Sequence, residues 1–167
     1  MALAATLTPE QGLFELTLLN AEKIENDFDD VVLDGIKRGI PLEILTRLKE
    51  LWEVSKNIAG EVIAVGKIIV STIIEFIKAN SRLAIGAAIG AAVTVLIAGI
   101  PFIGPILAPL LAPITTIYGM GVGATSQNGN LSTDLLDVAI ALAEKFFELI
   151  KMIFNAVVDY WDTKGFE

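Results

Sequence analysis

The stretch that decides the fold runs from Leu83 to Thr125 and reads LAIGAAIGAAVTVLIAGIPFIGPILAPLLAPITTIYGMGVGAT. It carries no charged side chain. At about 20 residues for each crossing, residues 83–124 are long enough for two short transmembrane helices. Glycines and prolines cluster within residues 99–105, and such helix-breaking residues favour a tight reversal. The stretch therefore predicts a hydrophobic helical hairpin with arms near 83–99 and 106–122.

The reversal itself is apolar, which distinguishes it from the polar loops that join helices in water. A polar loop would resist passage through the hydrocarbon of a bilayer, whereas an apolar one would not. We therefore predict that the end of the hairpin is a membrane-inserting tip. Its residues are Ile100, Pro101, Phe102, Ile103 and Pro105.

The first arm contains small residues at helical spacing. Gly86 and Gly90 form a GxxxG pattern, which lets two helices approach closely in lipid. The same pattern also suits tight packing inside a water-soluble bundle. In both cases Gly86 and Gly90 are predicted helix-packing residues.

The second arm contains a proline at every fourth position. Each proline in a helix interior removes a backbone donor and costs about 3 kcal/mol. The repeat predicts an arm that is either kinked and packed against partners or partly non-helical. The arm is followed by a predicted glycine hinge, which would let it swing relative to the last helix. The prolines are Pro101, Pro105, Pro109 and Pro113, and the hinge residues are Gly119, Gly121 and Gly123.

Amphipathic segments flank the hairpin on both sides. Thr8-Pro9-Glu10-Gln11 is a helix start with a capping box, and it opens an acidic N-terminal segment, 1–34, whose helix reaches about Phe28. A turn is predicted around Asp34-Gly35 and Gly39-Ile40-Pro41. Apolar residues at helical spacing then predict either one helix over 41–80 or a pair hinged at Gly60, and another helix over 132–162. We predict a single all-α domain, residues 1–167, in which a bundle of amphipathic helices surrounds the hydrophobic hairpin.

Four charged residues interrupt the apolar pattern between 61 and 78 and lie broadly on one side of the predicted helix. A solvated helix face is one interpretation. The other is a polar stripe that lines a water-filled pore, where ionisable groups within membranes usually lie. The candidate pore-lining residues are Glu61, Lys67, Glu75 and Lys78.

The composition argues against catalysis and against nucleic acid binding. The chain has no cysteine and no histidine, so the usual thiolate nucleophile, general base and metal ligand are all missing. We predict neither enzymatic activity nor a cofactor or metal. The net charge is −8, and an acidic balance is unsuited to binding phosphate backbones. Residues 1–20 lack the basic start and apolar run of a signal peptide.

An apolar helical hairpin with breakers at its tip, flanked by amphipathic helices, resembles the α-helical pore-forming toxins, notably the pore-forming domains of colicins. The resemblance rests on residues 83–124 and the flanking helices. It implies a soluble form that hides the hairpin and releases it at a bilayer. Three features depart from that family: a count of five or six helices, the lack of a basic docking surface, and the proline repeat.

These observations predict a membrane-located protein that inserts into the lipid bilayer and permeabilises it as a pore. It would oligomerise there with copies of itself or with a second toxin component, and a soluble state before insertion is compatible with the pattern. Two alternatives stay open. One is a constitutive integral membrane protein, holin-like or a small scaffold, and the other is a structural subunit that buries the apolar segment in a filament or shell.

Overall fold

The computed structural model describes residues 7–23, 25, 27–118 and 130–160, with the backbone alone at 101, 111, 115–118 and 130–136. The prediction of a mostly helical chain is confirmed. The described residues form eight α-helices, one short β-hairpin and two 3₁₀ helices, Pro101–Ile103 and Val158–Tyr160. The helices are α1 (Pro9–Lys23), α2 (Phe28–Lys37), α3 (Leu42–Trp52), α4 (Val65–Ala79), α5 (Ile85–Gly99), α6 (Gly104–Tyr118), α7 (Asn130–Phe146) and α8 (Glu148–Ala156), and the strands are β1 (Lys56–Ile58) and β2 (Glu61–Ile63).

The capping box predicted at the start of α1 is confirmed. The Gln11 N–H donates to the Thr8 hydroxyl oxygen at 3.1 Å, and the Thr8 N–H donates to the Gln11 side-chain oxygen at 3.0 Å. Pro9 takes the first helical position, where its missing N–H would have had no partner.

The acidic N-terminal segment contains a second helix that runs through Asp34 and Gly35, so of the predicted turn only the later part, near Gly39, is present. Its start is set by Asp27, whose side chain accepts a hydrogen bond from the Asp29 N–H at 3.1 Å. Asp29 and Asp30 lie in the first turn, where the helix dipole favours negative charge. Gly35 lies within the helix, and a Cβ added there would come within 2.6 Å of Cδ2 of Leu45 in α3. The turn follows at Gly39, whose φ is +82°.

The 41–80 region contains two helices, α3 and α4, as the hinged alternative predicts. They are separated by a β-hairpin, which the apolar spacing does not predict. Ile58 pairs with Glu61 across a two-residue turn. Ala59 (φ 55°) and Gly60 (φ 85°) both have positive φ, as type I′ turns require. Ile58 and Ile63 are fully buried, so the hairpin contributes to the core and α4 begins at Val65.

The helices pack in a connected series around α5. Helix α5 contacts α4, α6 and α7, and α6 also contacts α3. Helix α1 lies against α8 and α4, and α2 lies against α3. The C-terminal segment predicted as one helix over 132–162 is divided at Phe147, a fully buried residue between α7 and α8.

Helix α6 keeps its helical path through the proline repeat. Pro101 opens the preceding 3₁₀ helix and Pro105 lies in the first turn of α6, where a missing N–H is tolerated. Only Pro109 and Pro113 are interior, so two backbone donors are lost and not four. The repeat is therefore compatible with a continuous helix from Gly104 to Tyr118.

Within the described residues, the structure contains no helix that combines the length and the apolar character needed to cross a membrane.

The charge-free helix pair as candidate functional site

Helix α5 is the most deeply buried helix of the apolar stretch. Ten of its fifteen residues are buried, in an unbroken run from Gly86 to Val93 and then at Val95 and Leu96. Thr94 and Ala98 are its exposed side chains. A helix with apolar residues around its whole circumference is stable either inside a protein core or inside a bilayer. In this fold the core satisfies that requirement.

The predicted packing residues Gly86 and Gly90 both lie in this buried part of α5. The most extensive helix–helix contact of the described residues is between α5 and α7. From α7, Ala139 and Ala143 are fully buried. Their spacing of four repeats that of Gly86 and Gly90, and small residues at this spacing are typical of helices that pack closely.

The predicted tip lies within the 3₁₀ helix and the residues beside it. Ile100 and Ile103 are fully buried, Phe102 is half-buried and Pro105 is exposed. Of Pro101, only the backbone is described. The apolar tip is thus divided between two core side chains and a solvent-facing proline.

Helix α8 covers the end of α5 next to the tip. The Asn155 side-chain amide donates to the Gly99 carbonyl oxygen at 2.7 Å and to the Lys151 carbonyl oxygen at 2.9 Å. The last carbonyls of a helix have no partner within it, so Asn155 satisfies one of them. The methylenes of Lys151 lie against Gly99, so a side chain at residue 99 would require the Lys151 side chain to move. Beside this contact is an open cavity of about 500 Å³.

The candidate pore-lining charges do not converge in the structure. Glu61 lies on β2 and is exposed, whereas the other three residues lie on α4. The Lys67 ammonium lies 5.7 Å from the centre of the Trp52 ring. The other two make ion pairs: Lys23 with Glu75 at 2.6 Å and Lys78 with Asp34 at 2.9 Å. These pairs join the acidic α1 and α2 to α4.

The predicted hinge, Gly119, Gly121 and Gly123, lies outside the described residues. Within the part that is described, no group of three or more carboxylate side chains is placed to hold a metal ion.

Three residues of this site, Ala139, Ala143 and Asn155, are not predicted from the helical spacing of the large apolar residues. Ala139 and Ala143 carry a signal, since small residues four apart in the last segment repeat the pattern of the first arm. No sequence pattern indicates the role of Asn155, because an asparagine in this helix is equally compatible with an ordinary surface position.

No protein family, no curated protein and no solved structure matches this chain.

Proposed function

We propose that this chain permeabilises membranes by inserting the hairpin formed by α5, the tip and α6, which the folded chain holds among amphipathic helices. The observation that carries the proposal is the burial of α5, a charge-free helix with apolar residues on every side. Such a helix can exchange a protein environment for a lipid one without exposing a charge.

Helices α5 and α6 are shorter than a bilayer is thick, so insertion requires longer arms or a thinner bilayer. Each has fifteen residues, about 22 Å at 1.5 Å per residue, which is shorter than the hydrocarbon core of about 30 Å. Charge-free residues adjoin both helices, so the arms can lengthen into them. A short apolar helix is also accommodated by local thinning of the bilayer.

The helices around the hairpin (α1 to α4, α7 and α8) are held by contacts that lipid can replace or that contribute little stability. Ala139 and Ala143 of α7 contribute apolar packing, for which acyl chains can substitute. The Lys78–Asp34 pair is partly exposed, and ion pairs of this kind contribute about 0–1 kcal/mol. Once α5 has left the core, its Gly86–Gly90 face is free to pack against the same face of another copy. We propose a homo-oligomer on this basis.

Thr94→Lys tests the proposal. Thr94 is exposed, so the folded protein tolerates a lysine there. In an inserted arm, the lysine would cost about 2.5–3.5 kcal/mol, or about a hundredfold in the inserted population. We expect dye release from liposomes to fall by that factor, while the circular dichroism spectrum and melting temperature stay those of the wild type.

The matched control is Thr46→Lys, which places the same substitution at an exposed position of α3, outside the hairpin. It should release dye as the wild type does. Equal release by Thr94→Lys and Thr46→Lys would contradict insertion of α5. A wild-type protein that needs detergent from synthesis onward would favour the constitutive membrane protein, and soluble polymers without leakage would favour the structural subunit.

A further inference from the structure

The two acidic helices, α1 and α2, are attached to the rest of the fold by little apolar burial. Leu16 is the one large apolar side chain of α1 that is buried, and Val31 is the one of α2. Helix α4, which has the same length as α1, buries eight apolar side chains. Segments with few buried apolar contacts open at a lower free-energy cost than the rest of a fold. We call α1 and α2 together the acidic strap.

Polar contacts join the acidic strap to α4 and to the residue before it. The Asn20 side-chain oxygen of α1 accepts a hydrogen bond from the Ala64 N–H at 2.8 Å. Lys23 pairs with Glu75 of α4, and a second ion pair joins α2 to α4. The Lys23 residue is only 8% exposed, so removal of its ammonium from water offsets much of what the pair contributes. These contacts therefore position the strap but add little stability.

Helix α1 lies closely on α8, the helix that bonds to the end of α5 through Asn155. A Cβ added at Gly12 would lie 2.5 Å from Cβ of Ala156 and 3.3 Å from the Ile153 carbonyl oxygen. Among the described residues, the most extensive contact of α8 is with α1. Helix α8 has nine residues, and isolated helices shorter than about 12–15 residues are marginal in water. The stability of α8 therefore depends on the presence of α1.

The start of α1 also forms one side of the cavity at the end of α5. Leu7 and Pro9 line this cavity of about 500 Å³ together with Gly99 and Asn155. The hydrogen bond from the Asn155 amide to the Gly99 carbonyl oxygen lies at the same place. Departure of α1 would open this side to water, which competes with Asn155 for the carbonyl oxygen.

We propose that the acidic strap is an autoinhibitory contact, which opens before the rest of the fold and, while it is closed, keeps α8 on the end of α5. This inference rests on the proposed function, since the segment that α8 retains is the hairpin that would insert. Opening of the strap removes the main contact of α8, and the loss of α8 then frees the end of α5.

The test is hydrogen–deuterium exchange of the purified full chain without membranes, followed by mass spectrometry of peptides from α1, α4 and α8. In the wild type, the amides of α1 should exchange through a more frequent opening than those of α4. Asn20→Ala removes the acceptor of the Ala64 N–H and should raise the exchange rate of both α1 and α8 about fivefold. Gly12→Ala, which pushes α1 away from Ala156, should act in the same direction.

The matched control is Asn80→Ala. The Asn80 side-chain amide donates to the Phe76 carbonyl oxygen within α4, at 3.0 Å, and makes no bond to the strap in the described contacts. It should leave the exchange of α1 and α8 as in the wild type. Dye release from phosphatidylcholine vesicles is measured for the same proteins, and Asn20→Ala should release dye about five times faster than the wild type and Asn80→Ala.

Three results would overturn the strap. The first is exchange of wild-type α1 no faster than that of α4, the second is unchanged α8 exchange in Asn20→Ala, and the third is faster α8 exchange with dye release no faster than that of a dye-releasing wild type. A different result separates the strap from the proposed function: faster α8 exchange in Asn20→Ala, with no dye release from any of the proteins, would support the hold of the strap on α8 and refute permeabilisation.

Discussion

Replacing Gly66 with alanine should disrupt the junction between α3 and α4. Gly66 is the second residue of α4, and its N–H donates to the Val54 carbonyl oxygen at 2.9 Å. A Cβ at this position would overlap the Leu51 carbonyl oxygen and would lie 2.8 Å from the carbonyl carbon of the same residue. It would also lie 3.0 Å from the Trp52 carbonyl carbon. All three are backbone atoms, so no side-chain rotation relieves the overlap.

The size of the effect follows from three contributions. Overpacking against a fixed backbone destabilises by about 1–3 kcal/mol. Loss of the hydrogen bond to Val54 adds about 1 kcal/mol, and the higher helix propensity of alanine offsets about 1 kcal/mol. The expected decrease in the free energy of unfolding is about 2 kcal/mol. For a chain of this length, that corresponds to a melting temperature about 4–8 °C lower.

The measurement is urea and thermal unfolding followed by circular dichroism, with Gly104→Ala as the matched control. Gly104 is the first residue of α6, and a Cβ added there meets no atom within 4 Å. The same substitution should leave its stability unchanged or raise it by up to about 1 kcal/mol. If Gly66→Ala is as stable as the wild type, the close approach of α4 to the end of α3 is refuted.

Two further experiments test contacts of the surrounding helices, one between α8 and α5 and one between α1 and α4. Asn155→Ala should lower the free energy of unfolding by about 1 kcal/mol, because the Gly99 carbonyl oxygen loses its donor; an unchanged urea midpoint would contradict that hydrogen bond. For the Lys23–Glu75 pair, a double-mutant cycle with Lys23→Met and Glu75→Gln should give a coupling of up to about 1 kcal/mol, discounted because half of the Glu75 side chain is exposed. A coupling of zero in low salt would show that the pair contributes nothing to the attachment of α1 to α4.

The starts of several elements can be predicted from local sequence because their physical cause is local. Thr8 and Gln11 lie within one turn of each other, so their reciprocal capping bonds need no distant residue. Pro41 precedes α3 for the same kind of reason, since proline is pre-organised for a helix start. The break at Gly60 was also visible, although only as a hinge.

Other elements depend on contacts that lie far apart in the chain. The segment with Ile58 and Ile63 has apolar spacing that suits a helix, yet it pairs as two strands because both side chains are buried in the core. Gly35 is typical of a turn, yet it lies within α2, where Leu45 of α3 occupies the space that a side chain would need. Neither neighbour can be inferred from the spacing.

The candidate site shows the same division. The charge-free run from residue 83, the glycines of α5 and the reversal near Pro101 follow from composition alone. The helix that packs on these features cannot be inferred from composition, because a small-residue face can pack on any other small-residue face of suitable length. In the tertiary structure α7 packs against α5, and α8 bonds to the end of α5 through Asn155. The pairs Lys23–Glu75 and Asp34–Lys78 join α1 and α2 to α4. The composition of residues 83–125 is enough to predict that this segment must be kept from water, since it has no charged side chain that water would solvate. The helices that exclude water from it, such as α4 and α7 around α5, are known only from the fold. Their packing depends on the shapes of surfaces that come together from distant parts of the sequence.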